Sequence, residues 1–233
     1  MPQVKHESFT YPYVDDRPLT FIAQIDLAEV NQNHYIDYLP NEGILLFFYD
    51  VEIQVWGFDP KDRPHFKVIY LKEEAYQQQD EPYPENIDIL KQSHIKANFI
   101  DVPMPVDAEE IDKLELNDLE YDAYCDYAST QIFNHEPLHQ MGGYPTPQQA
   151  NDMELEAQLV THRIYCGDPS GYESEEAKEL KKDANNWKLL LQIDSDEELD
   201  LMWGDMGMLY FWVEEAEAKS GNFDNSWLIL QCG

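Results

Sequence analysis

The residues best suited to chemistry in this chain are carboxylates at the ends of hydrophobic segments. The richest run is Asp194-Ser195-Asp196-Glu197-Glu198-Leu199-Asp200, with Asp205 beyond it. Acids at alternate positions resemble the ligand spacing of a calcium loop, which makes Asp194, Asp196 and Asp200 candidate metal ligands. The likeness breaks at two positions. Leu199 stands where such a loop needs glycine for its sharp turn, and Asp205 stands where it needs a bidentate glutamate. The competing reading is an acidic turn after a strand. A second candidate is the pair His135 and His139, four residues apart with Glu136 between. On a helix that spacing would turn two imidazoles to one face and suit zinc. Pro137 lies between them and argues against a helix, so two loop histidines are the competing reading.

A third constellation comes from a repeated phrase. Gln-Ile-Asp occurs at Gln24–Asp26 and again at Gln192–Asp194. If both strand ends meet, Gln24, Asp26, Gln192 and Asp194 form a polar site with paired carboxylates, suited to a divalent cation or to general acid/base work. Otherwise each Gln pairs with backbone groups and each Asp caps the turn that follows. No cofactor is indicated. The chain has no phosphate-loop Lys-Ser/Thr, no G-x-G-x-x-G, no G-x-S-x-G and no H-E-x-x-H.

The elements that must position these residues show the repeat more fully. After the first Gln-Ile-Asp comes Gly43-Ile-Leu-Leu-Phe-Phe48, then Phe58-Asp59. After the second comes Gly207-Met-Leu-Tyr-Phe-Trp212, then Phe223-Asp224. The order and near-equal spacing predict an internal duplication, with halves of roughly 1–128 and 129–233 in one domain. Leu19–Asp26 alternates at strand period, with Leu19, Phe21, Ala23 and Ile25 on one face; Trp187, Leu189, Leu191 and Ile193 do likewise. Further strands are predicted from Gly43 to about Val51, over His65–Lys72 and over His94–Val102, with short connections that favour antiparallel neighbours. A short helix should follow Asp26 as its N-cap. Helices are also predicted within Asp107–Tyr127 and over Gln148–His162, and loops over Gln77–Pro84 and Asn134–Pro147. Trp56, Trp203, Trp212 and Trp227 are expected as core anchors. The fold class is α+β, mostly antiparallel strands with a few helices.

Composition limits the partners. Against 15 Lys and Arg stand 47 Asp and Glu, a formal net charge of −32 over 233 residues. Such a chain repels phosphate backbones and anionic membranes, so nucleic acid and membrane are disfavoured and a basic protein is the natural partner. Three dispersed cysteines, Cys125, Cys166 and Cys232, give no disulfide framework and fit a reducing, cytoplasmic setting. Met1–Phe9 has no apolar run, and no stretch approaches the roughly 18 apolar residues of a spanning helix.

The segments Pro18-Leu-Thr-Phe-Ile-Ala-Gln-Ile-Asp-Leu-Ala-Glu29 and Leu39-Pro-Asn-Glu-Gly-Ile-Leu-Leu-Phe-Phe-Tyr-Asp50 resemble the YwqG-like proteins, a bacterial family of unknown function (DUF1963). His139-Gln-Met-Gly-Gly-Tyr-Pro145, Trp187–Asp196 and the final Leu230-Gln-Cys-Gly233 are similar to its second half. The resemblance implies an α+β fold with duplicated sheet elements and a bacterial cytoplasmic setting; it implies no activity. One departure matters. Family members usually carry a Gly-Gly-x-Pro segment ahead of the first Gln-Ile-Asp, and here Gly142-Gly143-Tyr144-Pro145 precedes only the second. A chain short at its N-terminus would leave apolar residues exposed near Leu19–Ile25 or Trp187–Ile193. The function expected from all this is a non-enzymatic protein-interaction or immunity-type module. The alternative is a metal-dependent hydrolase or small-ligand binder at the paired Gln-Ile-Asp ends.

Overall fold

The computed structural model describes residues 9–72, 84–85, 89–134, 137–149 and 151–233. In chain order a two-residue hairpin, β1 (Tyr13–Val14) and β2 (Arg17–Pro18), leads into β3 (Thr20–Asp26). Helix α1 (Leu27–Asn33) connects β3 to β4 (Ile44–Tyr49), and a 3-10 helix, Pro60–His65, precedes β5 (Phe66–Leu71). Two helices follow, α2 (Glu109–Asp112) and α3 (Asp118–Asn134), then α4 (Met153–Thr161), α5 (Ser170–Glu173) and α6 (Glu175–Leu180). A second 3-10 helix, Lys181–Asn186, leads into β6 (Trp187–Asp194), β7 (Met208–Glu214), α7 (Glu215–Ser220) and β8 (Trp227–Gln231).

Two three-stranded antiparallel sheets dominate, ordered β3-β4-β5 and β6-β7-β8. Their registers match position for position. Gln24 lies opposite Leu46 and Asp26 opposite Ile44; Gln192 lies opposite Tyr210 and Asp194 opposite Met208. Both first strands carry a register shift at the same point, between Phe21 and Ala23 and between Leu189 and Leu191. An extra residue there breaks simple alternation. Leu19 and Phe21 therefore line one cluster, while Ile22, Ala23 and Ile25 line another, where strict period two would put Leu19, Phe21, Ala23 and Ile25 on one face and Ile22 on the other.

The sheets pack face to face. Phe47 meets Phe211 with ring centroids 5.1 Å apart, and Phe66 meets Trp227 at 5.0 Å, both edge to face, a favoured aromatic geometry. The outer face of the first sheet is covered by the N-terminal residues: Phe9 and Tyr11 pack on Phe48 beside Val14 and Leu19. The outer face of the second is covered by α4, which lies against β6 and β8. Connecting loops reach across. The Leu230 amide donates to the Trp56 carbonyl at 3.0 Å and the Trp227 indole to that of Gly57 at 2.7 Å. In return Phe223 packs on Tyr70, and Asp224 pairs with Lys67 at 2.6 Å. Each sheet thus needs a loop from beyond the other, which makes this a single-domain α+β fold.

Several expectations change. His94–Val102 forms no strand; its residues are mostly exposed, without a ladder partner among the described residues. The Asp107–Tyr127 prediction resolves as α2 and α3. Helix α4 starts five residues later than Gln148, because Gln148 and Gln149 are tied to β8 instead. Trp56 is 43% exposed and is no core anchor, whereas Trp203, Trp212 and Trp227 are buried. No residue of Leu19–Ile25 or Trp187–Ile193 is exposed, so neither strand presents the anticipated bare patch. All of the Gln77–Pro84 loop before Pro84 lies outside the described residues.

Candidate functional site

Among the described residues the outer edge of β6 has no neighbouring strand, and unpaired backbone at a sheet edge seeks partners. A strap, residues 138–149, fills it. Gln140 and Gln192 exchange both backbone bonds, at 3.1 and 2.8 Å. The fully buried Gln192 side chain then clasps the strap from two sides: its Oε1 accepts from Thr146 N at 2.8 Å, and its Nε2 donates to the Leu138 carbonyl at 3.0 Å. Asp194 Oδ2 accepts from Leu138 N at 2.8 Å. Gln231 of β8 holds the far end, accepting from the amides of Gln148 and Gln149 at 3.0 and 3.1 Å. Tyr210 donates to the Thr146 carbonyl at 2.6 Å. Gly142 and Gly143 take positive φ, 69° and 74°, which lets the strap turn between these anchors.

His139 is committed on both ring nitrogens. The Asp194 amide can only donate, so at 3.2 Å it fixes Nδ1 as an acceptor; Nε2 then carries the proton and faces Asp196 Oδ2 at 3.2 Å. Asp196 also accepts from the amides of Glu198 and Leu199, at 2.8 and 3.3 Å, and this turn is closed by its bridge to Leu201. Burial opposes ionisation of Asp196, but the bonds from His139 and the two amides outweigh it, and its carboxyl sits below the usual range. Asp200 is exposed, with φ of 55°.

The first copy is arranged differently. Asp26 caps α1, accepting from Ala28 N at 2.9 Å and Glu29 N at 3.3 Å. Gln24 is half-buried on β3. Among the described residues no bond joins Asp26 to Asp194, and the two Gln-Ile-Asp ends serve separate segments. Of the histidine pair, His139 behaves as above and His135 lies outside the described residues. Among the described residues no three His, Cys, Asp or Glu side chains converge to hold a metal ion.

Sequence reasoning missed a tighter ionic cluster. The ladder pair Tyr49–Phe66 puts Asp50 beside His65, and Asp50 N donates to the His65 carbonyl at 2.9 Å. Asp50 is 3% exposed. Its two oxygens take a bidentate pair from Arg17, both at 2.7 Å, and Oδ2 also meets His65 Nδ1 at 2.7 Å. Arg17 adds Glu52 at 2.8 Å. An Asp–His pair can orient an imidazole as a base, but here the carboxylate is shared with a guanidinium fork. The cluster's evident work is to pin the β1–β2 hairpin to the first sheet. Its signal was available in the strand register, once β4 and β5 are paired.

A shallow, open depression of about 480 Å3 is lined by Asp59, Pro60, Lys61, Arg163 and Tyr165, and includes none of the clusters above. Residues 1–232 match the family profile described as a domain of unknown function, DUF1963. The chain belongs to the DUF1963 family. No curated protein matches it. In this DUF1963 chain no helix among the described residues is long and apolar enough to cross a membrane. The family match covers both Gln-Ile-Asp strands and the strap, so the site lies within the family's domain.

Proposed function

We propose that this chain is a non-enzymatic, immunity-type interaction module that binds a basic protein through its acidic surface. The observation that carries the reading is the net charge of −32, in a chain whose candidate acid–base groups are engaged as fasteners. Gln192, Asp194 and His139 hold the strap, Asp26 caps a helix, and Asp50 pins a hairpin. What remains exposed is carboxylate in excess, which accelerates encounter with a cationic partner and suppresses anionic ones. Three free cysteines support a reducing, cytoplasmic setting.

We also infer that the two sheets descend from one duplicated unit. Three features support this: equal strand order, register shifts at equivalent positions, and the Phe47–Phe211 contact. In the repeated phrases those two rings occupy the same position, and a residue touching its own counterpart lies near a pseudo-twofold axis.

The test is affinity capture from the native host, with mass spectrometry of proteins bound at low salt and released at high salt. Enrichment of a basic protein that salt elutes supports the reading. Bound proteins that are acidic, or held regardless of salt, overturn it. A thermal-shift screen with calcium, magnesium, manganese and zinc addresses the metal-dependent alternative, which predicts a rise of several degrees with one ion.

A further inference from the structure

Two loops far apart in sequence meet at one surface. The Gln54 side chain joins them: its Nε2 donates to the Met202 carbonyl at 3.3 Å, and its Oε1 accepts from Gly204 N at 2.9 Å. Around this bridge four large apolar side chains face solvent. Ile53 is 54% exposed, Trp56 43%, Met202 48% and Met206 56%. Single exposed hydrophobics are ordinary, but four gathered from two loops on one bridge form a patch. Tryptophan and methionine suit such a role. The first gives a rigid, broad contact, and the second adapts to different shapes.

The patch stands on a fixed base. Between Met202 and Met206 the chain drops Trp203 into the core, where its ring meets Tyr49 at 6.1 Å. Its amide donates to Ser195 Oγ at 3.1 Å and its indole to the Asp194 carbonyl at 3.1 Å. Gln54, Asp200 and Met206 have φ of 50°, 55° and 54°. They are three of the six non-glycine residues at positive φ among the described residues, so strained backbone concentrates at this surface. Such strain persists only where the surroundings impose it, and it collects at functional sites. The apolar side chains are therefore presented in a set arrangement, which lowers the ordering penalty of binding.

The rim names the partner's charge. Glu197, Glu198, Asp200 and Asp205 are exposed on the same loop, and no Lys or Arg occurs between Lys188 and Lys219. Among the described residues two cations are bonded beside it. Arg17 is held on Asp50 and Glu52, and Lys91 donates to the Glu198 carbonyl.

We propose that the Ile53–Trp56–Met202–Met206 surface is the docking face for a basic protein segment that carries an apolar or aromatic anchor flanked by lysine or arginine. This rests on the basic-partner reading above and assigns it a place. The anchor packs among the four side chains, and the flanking cations meet the acidic rim. Charge supplies encounter and the patch supplies residence.

The test uses the full chain and two synthetic peptides of equal length and equal positive charge, measured by fluorescence anisotropy. One is oligolysine spaced with glycine; the other carries tryptophan and leucine among the lysines. The expected result is binding of the anchored peptide at least about tenfold tighter than oligolysine, with this preference lost in Ile53→Lys/Met206→Lys. Met202→Ser, which removes apolar surface without adding charge, should weaken the anchored peptide alone; circular dichroism and thermal midpoints confirm that both variants fold. Tyr13→Lys, at an exposed residue of β1, should retain the preference. If oligolysine and the anchored peptide bind equally, or the double variant keeps the preference, the docking face is wrong while the basic-partner reading stands. If neither peptide binds at low salt, both fail. If sedimentation shows a dimer that Ile53→Lys/Met206→Lys dissociates, a second copy covers the patch and the proposal is overturned.

Discussion

Replacing Glu156 by glutamine should stabilise the protein at alkaline pH and not at acid pH. Glu156 lies on α4, 8% exposed, with its Oε1 accepting from the Tyr172 hydroxyl at 3.2 Å. Its Oε2 has no partner among the described residues. Burial pushes this carboxyl up to about 7; Tyr172 pulls it down, and Asp152 and Glu154 push it further up. In the unfolded chain the group returns to its ordinary value of about 4.5. Between those values the folded protein holds a proton that the unfolded chain has released, so stability falls as pH rises through the window and the loss is complete above the folded value. A displacement of about 2.5 pH units corresponds to about 3 kcal/mol. Glu156→Gln keeps the shape and the Tyr172 bond and removes the titration. Urea unfolding at fixed salt should show the variant gaining about 3 kcal/mol on the parent between pH 4.5 and pH 8. Other titrating groups are common to both proteins and cancel in the difference. A difference that does not change with pH would refute the assignment of a buried, raised carboxyl at Glu156.

Four further outcomes follow from the packing. Gln192→Ala leaves Thr146 N and the Leu138 carbonyl without their partners in a buried strap; urea unfolding should show a loss of about 3 kcal/mol, with faster amide exchange at Thr146. Asp50→Ala leaves Arg17 with Glu52 alone and removes the partner of His65 Nδ1, and should cost about 2 kcal/mol by the same assay, with proteolysis opening first near the β1–β2 hairpin. Gly57→Ala should abolish stable folding, seen as loss of the cooperative transition: φ is +84° and a Cβ would lie 1.9 Å from the Leu228 carbonyl oxygen, a backbone atom that cannot swing away. Cys166, whose thiol burial pushes up to about 12, should resist alkylation in the native protein, while half-buried Cys125 reacts, as peptide mass mapping would show.

The sheets were legible because their strands carry a repeated phrase and their side chains obey period two until the shift at Ile22 and Leu190. That shift leaves no mark in composition, since Ile22 and Leu190 suit either face. The strand at His94–Val102 was misread for the opposite reason: it has strand-like residues, but it pairs with no strand among the described residues, and pairing is a tertiary property. Gln192 and Asp194 were legible as special, yet their work was not. A strap some 50 residues earlier in the chain supplies their partners. Asp26, in the same spelling, caps α1 instead of holding a strap, so equivalent carboxylates acquire different roles. The Asp50–His65–Arg17 cluster joins three segments and appears only once the register is known. Trp56 was misplaced because tryptophan is usually buried, and only the Gln54 bridge shows the loop turned outward.

The salt dependence of affinity for the partner recovered by capture tests the central claim most directly. If binding is driven by the acidic surface, affinity should fall by about tenfold or more between 50 and 200 mM salt, mainly through slower association. An affinity that stays flat across that range, or rises with salt, would contradict the account.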